Sequence, residues 1–177
     1  MKKSICPIAI FVITLISTLQ LTAQDFKGLD KSPMDMVSFP SSYKISEKVV
    51  KVIYSRPQLK GRSLLKLAPA DKIWRTGANE AVEITFYKDV IFGGKELEAG
   101  TYSLFTIPSL NDDWTIIINK ETNLWGSYYY NQDLDVVRVF GKTSKVERSI
   151  EAFSMMFDKD MTLKMGWGNT IISVNIK

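Results

Sequence analysis

The chain has 177 residues, a formal charge of +4, one cysteine and no histidine. Without imidazole there is no Ser-His-Asp triad, no Cys-His pair and no ordinary zinc site, so any chemistry must run on carboxylates, Lys, Tyr, Ser or a metal held by oxygen. Lys and Arg are interspersed with Asp and Glu rather than gathered into a stripe, which excludes a nucleic-acid footprint.

The N-terminus reads as a signal peptide over residues 1–23. Met1-Lys2-Lys3 is a basic start, Ile8 to Leu21 is an apolar run, and Leu21-Thr22-Ala23 supplies a small-residue cleavage site. The run is short for a bilayer span, which wants about 20 apolar residues. Cleavage after Ala23 predicts a periplasmic or secreted protein that meets the membrane only through the signal. It removes Cys6, Lys2 and Lys3, so the formal +4 falls to +2 and no disulfide can form. Residues 24–46 are polar, with Pro33, Pro40 and Ser41-Ser42, and read as an N-terminal arm. Residues 47–177 then form a single domain.

Strand signals fill that domain. Val49 to Tyr54 is β-branched and stops at Pro57. Val82, Ile84 and Phe86 alternate with Glu83 and Thr85. Val90 to Phe92 and Lys95 to Leu97 flank Gly93-Gly94 as a hairpin. Thr101 to Ile107 follows a turn at Glu98-Ala99-Gly100, and Trp114 to Ile118 reads, Thr115 apart, as a continuous apolar run, as in a strand buried on both faces. Val136 to Phe140, Met161 to Trp167 and Ile172 to Ile176 are further strands. Val146 to Asp158 fits both periods and is read as strand from its neighbours. The prediction is all-β: an antiparallel β-sandwich, with a jelly-roll-like or barrel-like sheet as the alternative.

Four constellations carry possible chemistry. The first joins Arg56, Arg62, Trp74, Arg75, Asn79, Glu80, Trp125, Tyr128 and Arg138 into a ligand-binding set in which Arg clamps an anion or carbonyl and aromatics stack on a ring. Its structural counterpart is an Arg75–Glu80 ion pair across a turn whose apex is Gly77-Ala78-Asn79, with Gly77 supplying left-handed geometry and the tryptophans filling the core. The second is Trp125-Gly126-Ser127-Tyr128-Tyr129-Tyr130-Asn131, whose rings suit a sugar or peptide face, or an edge strand. The third, Asn131 to Asp135, has oxygen ligands at alternate positions but lacks an EF-hand's mid-loop Gly and terminal Glu, so no metal is assigned. The fourth is a carboxylate pair built on Glu80, of the kind that hydrolyses glycosides.

IWRTGANEA, residues 73–81, also carries a resemblance. With Tyr54-Ser55-Arg56-Pro57, Lys60-Gly61-Arg62, Ala99 to Pro108, Trp114-Thr115, Asn119-Lys120, Trp125-Gly126 and Asp135 to Val139 it resembles the secreted bacterial family called domain of unknown function 2911. The chain departs from the family pattern over Leu64 to Asp71, which lacks the usual Phe-Gly and Pro-Tyr-Gly, and at Val82, where Thr is usual. The resemblance implies fold and location, not a reaction. No cofactor is expected. The reading favours a binding or scaffold module for a small polar or sugar-like ligand or a cell-envelope partner over an enzyme. The alternative is a carboxylate-dependent hydrolase using Glu80.

Overall fold

The computed structural model describes residues 26–177. The signal-peptide reading falls on residues that lie outside this range. The chain is nearly all β and forms one domain, an antiparallel sheet curled into a half-barrel. The all-β expectation holds, in its barrel-like form.

Among the described residues nine strands run in chain order: β1 (Met34–Phe39), β2 (Val50–Ser55), β3 (Val82–Phe86), β4 (Val90–Phe92), β5 (Lys95–Leu97), β6 (Gly100–Ile107), β7 (Trp114–Asn119), β8 (Asp135–Phe157) and β9 (Thr162–Asn175). A single helical turn, α1 (Leu64–Leu67), follows β2, and a short 3₁₀ turn (Gln132–Leu134) precedes β8. The main sheet has the order β1-β2-β3-β6-β7-β8-β9, and β4 pairs with β5 as a separate hairpin. Met34–Phe39, within the stretch read as an arm, is therefore the first strand of the sheet, in register with Val50 to Ser55.

β8 carries the curl. Its first residues pair with β7, and from Lys142 onward it pairs with β9. Between Lys145 and Ile150, five steps along β8 face only two along β9, and between Ile150 and Ser154 four steps again face two. Extra residues on one strand bend it and increase its twist. The Asn169 side chain fixes the first bulge by donating to Val146 O (2.8 Å) and Glu147 O (3.0 Å). The bend brings the end of β8 to the chain beyond β2, where Phe153 N donates to Pro57 O and Leu59 N to Glu151 O.

The concave side holds the core. Inward residues of neighbouring strands line up, Leu104 with Ile118 and Ile116 with Val139, and all three isoleucines of β7 are fully buried. Burying one such side chain contributes about 1.5–3 kcal/mol. Trp74 sits at the centre, stacked on Trp167 at 5.5 Å and edge-on to Trp114 and Phe153. The opposite face of β6 and β7 is not left to solvent. Residues 120–134 cross it and bury a small second cluster of Ala81, Phe105, Ile117 and Leu124, with Tyr130 packed against it. This explains why Ile116, Ile117 and Ile118 are apolar in succession.

Candidate functional site

IWRTGANEA folds inward at its middle. Trp74 exchanges both backbone hydrogen bonds with Thr106 (2.8 and 2.9 Å), Val82 N closes the loop onto Arg75 O, and Ala81 N bonds Leu124 O. Thr76 and Asn79, not Gly77, are the left-handed residues (φ +60° and +59°). A β-branched residue rarely adopts that conformation, and Thr76 is also buried, its hydroxyl 3.3 Å from Trp74 O and 3.2 Å from Thr106 Oγ1. Gly77 is required for a different reason: a Cβ there would lie 3.0 Å from Ser55 O. Because Gly77 and Ala78 point into the fold, they are not an exposed apex, and the expected Arg75–Glu80 ion pair does not form. The ion pairs among the described residues are Arg56–Asp35, Arg138–Asp135 and Lys164–Asp158.

The nine residues grouped by sequence separate into distinct places. Arg56 is a structural clamp: it donates to Asp35 (3.0 Å), Phe153 O (3.1 Å) and Ser154 Oγ (2.8 Å), tying β1 to the end of β8. Trp74 is core. Arg62 lies beside α1, bonded to Leu59 O and Gln58 O. Arg138 belongs to a saturated network on the loop-covered face. There Asp135, its side chain only 8% exposed, accepts from Tyr130 OH (2.7 Å), Arg138 Nε (2.8 Å) and Asn119 Nδ2 (2.8 Å). Burial, then the bond to Asp135, raises the Tyr130 hydroxyl pKa above its usual 10.0, against the opposing pull of Arg138. Burial also works against the Arg138 charge, but the Tyr130 and Asp135 bonds outweigh it and raise that pKa.

The remaining five, Arg75, Asn79, Glu80, Trp125 and Tyr128, meet around Gly126. Gly126 N donates to Asn79 O (2.9 Å), and Glu80 forms an isolated bridge with Trp125. Gly126 is left-handed (φ +70°), and a Cβ on it would lie 3.0 Å from the Tyr128 ring and 3.2 Å from an Arg75 terminal nitrogen. Only glycine allows the ring and the guanidinium to close over that point. Trp125, Tyr128 and Tyr129 are 56%, 78% and 72% exposed, while Arg75 Nε is buried and has no hydrogen-bond partner. Asn79 also reaches the preceding chain: the Ser32 amide first, then the Asn79 side chain, holds the Asp30 carboxyl below its usual range. Gly126 and Tyr129 were absent from the expected set, although both lie in the aromatic run that the sequence displays.

Glu80 and Glu83 line one groove of about 320 Å³ with Met34, Ile53 and Leu124. Glu83 is already engaged by the Asn123 amide (2.8 Å), and Glu80 is exposed. Nothing in this geometry favours hydrolysis over binding. Among the described residues no group of His, Cys, Asp and Glu is arranged to hold a metal ion, and the Asp135 carboxylate of the Asn131–Asp135 stretch is committed to its protein partners.

The fold and this face define an all-β half-barrel with an exposed aromatic-arginine surface. A family model described as "Protein of unknown function (DUF2911)" matches residues 32–176. The chain belongs to that family. No curated protein and no solved structure matches it.

Proposed function

We propose that this protein is a secreted or periplasmic binding module that takes a neutral, sugar-like ligand on the face formed by Arg75, Asn79, Trp125, Tyr128 and Tyr129. The observation that carries the reading is Arg75. Among the described residues, its Nε is buried without a hydrogen-bond partner and no carboxylate pairs with the guanidinium. An unmade bond to a buried donor costs about 1–3 kcal/mol; with Nε closed off from solvent, a ligand hydroxyl or carbonyl would be met by the terminal nitrogens, one of which lies beside Gly126. The exposed rings beside it offer flat apolar faces with polar rims, which suits the alternating C–H and O–H surfaces of a sugar. The basic, apolar, small-residue order of residues 1–23 supports delivery to the cell envelope, where such ligands are abundant.

Trp125 provides the assay. Trp74, Trp114 and Trp167 are buried, so Trp125 alone of the four tryptophans is open to solvent. Titration with N-acetylglucosamine oligosaccharides is expected to shift Trp125 emission saturably, and Trp125→Phe and Arg75→Met are each expected to weaken binding, measured calorimetrically, by about tenfold or more. Unchanged emission across the series, or full binding by Arg75→Met, would refute the reading.

A further inference from the structure

We propose that the hollow beside α1 is a second binding site, sharing no residue with the Arg75 face, for a small hydroxylated molecule that bears an oxyanion: a sugar acid or a sugar phosphate. The hollow encloses about 570 Å³, and its lining includes Arg62, Trp114, Lys145, Ser149, Glu151 and Asn169. That volume lies within the range of small-molecule sites, roughly 300–1,000 Å³.

Two cations face this space, and both are held by neutral groups. Arg62 Nε donates to Leu59 O (2.9 Å) and Nη2 to Gln58 O (2.7 Å). These bonds use one edge of the guanidinium and fix its plane. The other edge keeps an N–H on each terminal nitrogen, the geometry that grips a carboxylate or phosphate with two parallel bonds. Lys145 Nζ donates to Thr170 Oγ1 (3.0 Å), which leaves two ammonium protons unassigned. Neither cation has a carboxylate partner among the described residues. Preorganising a cation before the anion arrives lowers the entropic cost of binding.

The rest of the lining selects hydroxyls. Asn169 spends both amide protons on the β8 bulge, so its carbonyl oxygen is left as an acceptor. Glu151 takes the Lys60 amide on one oxygen (2.7 Å) and has its second oxygen for a ligand O–H. Ser149 can donate or accept. A bare inorganic anion would leave these acceptors unused, and Glu151 would repel it. A hydroxylated anion satisfies both halves of the site. The β8 bulge matters because it places Lys145, Ser149 and Glu151 around the hollow while Asn169 locks its shape.

Isothermal titration with glucose 6-phosphate, glucuronate and glucose tests the proposal. In the Arg75→Met protein, whose other face is disabled, both anions are expected to bind and glucose to give no heat, with affinity falling as salt rises. Binding by one anion alone still supports the site and tells phosphate from carboxylate. Arg62→Lys keeps the charge and loses the two-bonded grip, and it should weaken anion binding about tenfold. Lys145→Met should weaken it comparably without touching the Gln58–Leu59 turn, so a fold defect in an Arg62 variant would not obscure the result. The proposal is overturned if glucose binds as well as the anions, if no anion binds, or if the well-folded Lys145→Met protein binds them as wild type does.

Discussion

The Asp135 network and the Arg75 face both draw on the covering segment, residues 120–134, and each sets an arginine beside a tyrosine of it. They differ in saturation. Around Asp135 every strong donor has an acceptor: Tyr130, Arg138 and Asn119 all converge on one carboxylate, and Asn119 Nδ2 also donates to Asn131 O. Around Arg75 the rings are open to solvent and the buried Nε bonds to nothing. The difference teaches how to read an arginine-aromatic cluster. One that completes its own hydrogen bonds anchors a loop, whereas one that leaves them open is, on the proposed reading, free to meet a ligand.

The largest expected effect tests the saturated side. Asp135→Ala removes the acceptor shared by three donors and leaves the buried Asn119 amide short of a partner. Unsatisfied buried groups cost about 1–3 kcal/mol each, and Arg138, 37% exposed, recovers part of its loss from water. A net loss of about 3 kcal/mol is expected, which for a domain of this size is a fall in Tm of roughly 6–12 °C. A melt within about 2 °C of wild type would mean that the network does not hold the loop. Gly126→Ala comes next and falls on the other side of the comparison. A side chain there is strained by its left-handed backbone and meets both Tyr128 and Arg75. It should cost about 1 kcal/mol and also displace the ring, so ligand-induced Trp125 emission changes should shrink while the core melts cooperatively.

The same comparison shows how far the sequence could be read. The strands with one wet face were visible because alternation records burial directly, as in Val82-Glu83-Ile84-Thr85-Phe86. β1 was hidden because its inward position Asp35 is polar. It sits there only because Tyr54 OH and Arg56, both distant in sequence, donate to it. The separate expectations for Val136–Phe140 and Val146–Asp158 merge into one strand: the polar residues Lys142 to Lys145 between them pair regularly with β9 but carry no apolar alternation, and the bulges lie beyond them. The aromatic run at Trp125 was legible by composition alone, and its Trp125, Tyr128 and Tyr129 rings are exposed. The roles of Arg56, Arg62, Arg75 and Arg138 were not, since the fold decides which carbonyl or carboxylate stands beside the first, second and last and leaves Arg75 Nε with neither.

A smaller effect concerns pH. Tyr130 in the network and Tyr54 in the core both have hydroxyl pKa values raised above 10.0, chiefly by burial. A raised folded-state value means that the native chain holds protons which the unfolded chain releases above pH 10. Stability from these groups is therefore complete below about pH 10 and is lost as pH climbs through the folded-state values. Melting temperature should be insensitive to these groups from neutral pH to about 10 and fall beyond it. Tyr130→Phe should lower the neutral-pH Tm by the equivalent of about 1 kcal/mol through its lost bond to Asp135, while reducing the alkaline slope. An alkaline slope identical in Tyr54→Phe, Tyr130→Phe and wild type would assign the loss to other groups.

The smallest effect on stability is the most informative about function. Arg75 has no ion-pair partner among the described residues, and its buried Nε is a cost to the folded state, so Arg75→Met should leave stability within about 0.5 kcal/mol of wild type or slightly raise it. Glu80 is exposed and unpaired in the same sense, so Glu80→Ala should be similarly silent. The double mutant should then equal the sum of the singles within about 0.5 kcal/mol, as for residues that do not interact. An ion pair formed in solution would instead give a coupling well above that limit, with the double recovering what the Arg75 single lost. Melts of the four proteins decide between these outcomes, and the same samples serve for ligand titration. A protein that melts like wild type but no longer shifts Trp125 emission with oligosaccharide would place Arg75 on the binding side of the comparison, because a structural arginine such as Arg138 cannot lose its function while leaving the fold untouched.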